Sequence, residues 1–174
     1  MFRCLPSGPA TFGQSTGGGV WKRIVQTPGL IVVLNDDLTY REVFMDGRTL
    51  ETNPSPSWMG YSVGRWEGDT LVVDVTEFNG KNWFDRAGNY HSEALHVTER
   101  FTPISKDAIQ YEATMEDPDV FTRPWKISMP LYRRLEPNAQ LVEYRCIEFV
   151  EEFLYGGLRR KPLVTRWESE TMVV

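Results

Sequence analysis

The stretch Arg65-Trp66-Glu67-Gly68-Asp69-Thr70-Leu71-Val72-Val73-Asp74-Val75-Thr76 decides the fold. Leu71, Val73 and Val75 recur with a period of two on one face, and Asp74 and Thr76 take the other. Glu67-Gly68-Asp69 supplies turn chemistry between this run and the one before it, residues 58–66, so two strands meet in a tight hairpin. The same period returns at Ile109, Tyr111, Ala113 and Met115 against Gln110, Glu112 and Thr114. It returns again at Trp125, Ile127, Met129 and Leu131 against Lys126 and Ser128. Pro130 lacks the N–H a ladder needs, which puts that last strand at an edge or a bulge.

Outward from these runs the pattern holds. Residues 30–34 and 40–45 flank Asn35-Asp36-Asp37 as a second hairpin, and Asp46-Gly47-Arg48 closes it with another turn. A final strand is expected over 140–149. About eight strands linked mostly by short turns, with no long amphipathic helix, predict an all-β protein. Closing an antiparallel up-and-down sheet into a barrel hides its edges, and a two-sheet β-sandwich is the alternative. Residues 1–23, with Gly17-Gly18-Gly19, read as an arm, 24–149 as the barrel, and 150–174 as an extension. In that extension 150–155 can make one or two helical turns, and Arg166-Trp167-Glu168 echoes Arg65-Trp66-Glu67.

Composition narrows the partners. The chain has 174 residues and a net charge of −5, with no basic stripe, so a phosphate backbone is an unsuitable partner. No apolar run approaches the roughly 20 residues of a membrane helix, and no signal peptide opens the chain. Six Trp, seven Tyr and nine Phe suit both a β core and the wall of a small-molecule pocket. Cys4 and Cys146 are too few and too far apart for a disulfide scaffold or a zinc site. As a bridge they would contribute about 4 kcal/mol, in an oxidising compartment only.

Several blocks resemble a family of bacterial proteins, often exported, that has no assigned activity. They are Ile24-Val25-Gln26-Thr27-Pro28-Gly29, Trp58-Met59-Gly60-Tyr61-Ser62-Val63-Gly64, Asp85-Arg86-Ala87-Gly88 and His91-Ser92-Glu93-Ala94-Leu95-His96. Cys4-Leu5-Pro6 and Glu143-Tyr144-Arg145-Cys146 are similar to its two cysteine blocks. Gly64-Arg65-Trp66-Glu67-Gly68-Asp69-Thr70-Leu71 is similar to a hairpin of calycin-like (lipocalin-type) barrels. The resemblance implies the barrel rather than the sandwich, a Cys4–Cys146 disulfide, and a periplasmic or secreted location in place of the cytoplasm. The chain departs from the pattern in lacking a leader, in the Gly-rich run after Cys4, and in its tail.

Chemistry concentrates between Trp83 and Phe101. His91 and His96 are the only histidines, with Asp85 and Arg86 before them and Glu99 after. An Asp within reach of an imidazole fixes its tautomer and raises its basicity, so Asp85 and His91 suit proton abstraction. In the strand that follows, two assignments are open. With Leu95, Val97 and Phe101 facing in, Glu99 is a carboxylate among hydrophobes, fit for acid–base work or for a buried ion pair with an arginine. With His96, Thr98 and Arg100 facing in, those three bind an anion or a carbonyl. Ser92 lacks a nucleophile elbow, and the histidine spacing does not fit a zinc helix, so no metal is expected.

Trp58, Trp66, Trp83 and Tyr90 are the rings expected near a pocket, with Arg48 and Arg100 as polar contacts. Together these residues predict a β-barrel that binds an apolar or aromatic small molecule. Catalysis, if present, would be cofactor-free acid–base chemistry of the isomerase, lyase or cyclase type, using Asp85, His91, His96 and Glu99. The alternative is a non-catalytic structural or protein-interaction module.

Overall fold

The period-two runs form strands. The computed structural model describes residues 22–50, 55–81, 89–143, 147 and 150–158. Among them eight strands lie side by side, in chain order, in one sheet. They are β1 (Lys22–Gln26), β2 (Leu30–Asn35), β3 (Tyr40–Phe44), β4 (Tyr61–Glu67), β5 (Thr70–Thr76), β6 (His96–Ser105), β7 (Ala108–Glu116) and β8 (Trp125–Tyr132). A short helix, α1 (Val150–Tyr155), and a 3₁₀ turn over Gly156–Leu158 follow. They belong to a compact unit separate from Leu5–Arg145, which carries the sheet. The protein is all-β, and its eight mostly antiparallel strands form one curled half-barrel sheet, consistent with a calycin-like barrel.

Curling is visible in what the sheet brings together. Arg41 on β3 pairs with Glu99 on β6, three strand intervals away. On a flat sheet that separation is about 14 Å, and side chains standing off such a surface do not meet. The concave face holds the core. Val43, Val73, Val75, Val97, Ala113 and Met115 are sealed there, with Phe78 and Leu95 beside them. Burying one valine contributes roughly 1.5–3 kcal/mol, so this apolar wall supplies most of the fold's stability.

Among the described strands β1 and β8 do not pair, so the barrel wall they form is a half-barrel, and with one sheet it is no sandwich. Three sequence expectations change. One pair, β3 with β4, is parallel, in register only at Val43↔Ser62 and Phe44↔Val63. The long connection over 45–60 makes this possible, because a parallel neighbour needs a crossover where an antiparallel one needs a tight turn. The strand expected over 58–66 begins only at Tyr61. Gly60 holds a φ of +68°, and a Cβ there would lie 2.6 Å from the Thr76 carbonyl. Finally, no strand forms over the described residues 140–143. The eighth strand is β1, whose exposed residues carry little alternation and which Thr27-Pro28-Gly29 folds back onto β2.

Two turns behave as their residues require. Gly68, with φ +61°, opens the two-residue loop between Glu67 and Thr70, which pair across the hairpin. Pro130 sits on β8, the edge strand, as its missing N–H demands. On β4, Gly64 leaves room for Met45 and Val43. A Cβ in its place would stand 2.9 Å from Val43 Cγ1 and would also crowd Met45 Sδ.

Candidate functional site

Strand β6 resolves the open choice of faces. Val97, Glu99 and Phe101 are buried on the concave side, while His96, Thr98 and Arg100 are partly exposed on the convex side. Glu99 is wholly buried. Its Oε2 pairs with Arg41 Nη2, and its Oε1 accepts a hydrogen bond of 2.8 Å from the Tyr111 hydroxyl on β7. Burial, and then the Glu99 charge, push the Tyr111 phenol well above its ordinary value. It therefore stays an O–H donor across the physiological range.

Arg41 is 3% exposed and only partly engaged. Among the described residues its Nε and Nη1 have no hydrogen-bond partner, and neither does Ser62 Oγ, also buried. Ser62 stands on β4 directly beside Val43, one pleat along from Arg41 on the same face. Further out, Lys22 Nζ donates to Asn35 Oδ1 at 2.7 Å. Burial pushes the Lys22 ammonium below its ordinary value. Asp37 pulls the other way, and the Arg41 charge adds to the burial effect.

His91 is buried in the loop before β6, as the sequence predicts for its place in the chain. Its Nδ1 lies 3.0 Å from the Ser92 carbonyl. A carbonyl only accepts, so Nδ1 carries the hydrogen and, in the neutral ring, Nε2 is the proton-accepting atom. Phe78 meets the ring edge-on at 5.7 Å, and the exposed Tyr90 stacks on it at 6.4 Å. The next residue pins the loop. Ser92 N–H and Oγ–H donate to the two oxygens of buried Asp117, both at 2.7 Å, just beyond β7.

The remaining expected residues lie apart from Glu99. His96 Nε2 is 3.3 Å from Asp74 Oδ1 on the convex face, an ion pair only when the ring is protonated and too poorly aligned for a hydrogen bond. Arg100 pairs with Glu67 at 2.9 Å on that face. Arg48 is exposed and held by Asp46 at 2.5 Å, with its guanidinium 3.9 Å from the Phe44 ring centre. Trp58 is half-buried, and Trp66 is exposed on the Ser62 side of β4. Trp83 and Asp85 lie outside the described residues, as do Cys4 and Cys146. Thus Glu99 and His96, expected in one cluster, stand on opposite faces of the sheet. No group of three His, Cys, Asp or Glu among the described residues is placed to hold a metal ion.

Four residues of this geometry escaped the sequence reading: Arg41, Ser62, Tyr111 as a hydroxyl donor, and Asp117. Arg41 left a usable trace. It shares the parity of Val43 and Met45, a charge on an apolar face, which is the signal that marked Glu99. Asp117, in Asp117-Pro118-Asp119, reads first as a turn residue, and nothing local links it to Ser92. No family model matches the chain, and no curated protein or solved structure matches it significantly.

Proposed function

We propose that the protein binds a small organic molecule, apolar or aromatic in its body, against the concave face of the half-barrel. The observation that carries this is the buried Arg41–Glu99–Tyr111 chain with donors left over on Arg41. An ion pair taken out of water rarely repays its desolvation, and apolar residues of similar volume often serve stability as well or better. Buried donors without acceptors cost more still, about 1–3 kcal/mol each. A core selected for stability alone has no use for either, whereas a binding site needs a few fixed polar groups in an apolar wall. The acid–base chemistry expected of Asp85, His91, His96 and Glu99 has less support, since His96 faces away from Glu99 and both Glu99 oxygens already accept hydrogen bonds. The resemblance to an often exported family supports a periplasmic or secreted location.

Native mass spectrometry of the freshly purified protein tests it, paired with a fluorescence titration using 1-anilinonaphthalene-8-sulfonate. An organic adduct released on denaturation, or saturable one-to-one binding of the dye, is the expected result. A bare protein mass together with no saturable binding would leave the interaction module as the better reading.

A further inference from the structure

We infer that the ligand's head group is a carboxylate, read by Arg41 and Ser62 on adjacent strands of the concave face. The inference rests on the binding function proposed above and names the chemistry of its polar end. Arg41 contributes one N–H on Nε and a pair on Nη1, all without acceptors among the described residues, and Ser62 contributes an equally unpartnered O–H. Both residues are buried, at 3% and 1% exposure, so bulk water does not serve these donors. The parallel register Val43↔Ser62 sets Ser62 one pleat beyond Arg41, and the two come from different strands, so one head group can bridge them.

The count of donors selects the acceptor. A neutral carbonyl oxygen offers two lone pairs, whereas a carboxylate offers about four on two oxygens. Charge selects the same group. A guanidinium N–H bonds an ionised acceptor about twice as strongly as a neutral one. A phosphate dianion would place its second charge against Glu99, which is already bonded to the same guanidinium. Glu99 and Tyr111 act as positioning residues, because together they hold the guanidinium by one nitrogen and leave the other two for the ligand.

A matched pair of probes tests this: 1-naphthaleneacetate and 1-naphthaleneacetamide, titrated by calorimetry into the full chain. The acid is expected to bind at least about tenfold more tightly, the worth of charge-assisted hydrogen bonds in a buried site. Arg41→Lys keeps a charge for Glu99 but removes the forked donors, and should erase the preference. Ser62→Ala removes a hydroxyl that has no partner among the described residues. It should keep the melting temperature and weaken acid binding several-fold, with amide binding weakened less. Equal affinities for acid and amide would overturn the carboxylate inference while leaving the binding function standing. An unchanged preference in both variants would also overturn it, since the head group would then be read elsewhere. A crystal structure with the acid bound and only water on Arg41 would do the same. Failure of both probes and of the dye to bind would remove the binding function along with the inference.

Discussion

Glu99 and Arg100 are successive residues of β6, each in an ion pair, and the two pairs differ in almost every physical respect. Glu99 points into the concave face, where it and Arg41 have side-chain exposures of 0% and 2%. Arg100 points out, and it and Glu67 are exposed at 41% and 42%. The outer pair belongs to a chain of charges that runs through Arg65 and Asp74 to Thr98 and His96. Water and salt screen it, and its members can exchange partners at small cost. The inner pair has no such freedom. It has lost its hydration, and it holds only if each charge keeps its partner. One strand thus carries an adjustable surface network and a rigid buried anchor on alternate residues, and only the anchor restricts what can approach it.

The largest effects should come from breaking the anchor. Arg41→Ala and Glu99→Ala each leave a buried charge alone, and each should cost about 3–5 kcal/mol in urea unfolding. Replacing the whole arrangement, as Arg41→Met with Glu99→Leu and Tyr111→Phe, removes both buried charges and the Arg41 orphans at once and should restore most of that loss. The same triple variant should lose its preference for a carboxylate probe. If it proves no more stable than the single variants, the pair is needed for folding itself, and the argument that it serves binding fails.

A smaller effect is expected at the third member of the anchor. Tyr111→Phe leaves Glu99 Oε1 buried without its donor and should cost about 1–3 kcal/mol. Because the folded phenol titrates well above its ordinary value of 10.0, its contribution is fully present below that pH. It is lost as pH rises above it, since the unfolded chain gives up the proton first. Unfolding midpoints measured between pH 8 and 11 should therefore fall in the wild type. In Tyr111→Phe that part of the decline should be missing.

Strand existence and facing were legible wherever one side of a strand is buried and the other wet. Ala108–Glu116 and Trp125–Tyr132 show their inner residues as alternation, Thr70–Thr76 does so except at Val72, which is buried on the outer parity, and Pro130 gave away the edge. The parallel pairing of β3 with β4 was not legible, because it is decided by the path of a connection rather than by any residue in the strands. Nor was β1, whose last four residues are all exposed and whose pairing comes from its neighbour. The candidate site was half visible. Glu99 stood out as a charge of the wrong parity, and an arginine was among the partners expected for it. That partner is three strands away, a distance that only the curl of the sheet closes. His96 lies close to Glu99 in the chain and shares its strand, yet the period of two sends it to the opposite face.

The smallest effect belongs to the outer network, and it sets the scale for the rest. Burial alone would push the Asp74 carboxyl up, but the hydrogen bonds from Arg65 and Thr98 outweigh it and hold the group below its ordinary value of 3.8. A depressed carboxylate stabilises the fold above that pH and stops doing so as pH falls through its lower folded value. Asp74→Asn should accordingly cost less than about 1 kcal/mol at neutral pH, and less again in 1 M salt, where exposed charges interact over only about 3 Å. Glu99→Gln, measured alongside, should show a loss that the same salt does not change, because ions do not reach the concave pair. Should the two variants respond to salt alike, the faces of β6 would be electrostatically equivalent, and Arg41 would have no more claim to a ligand than Arg65 or Arg100.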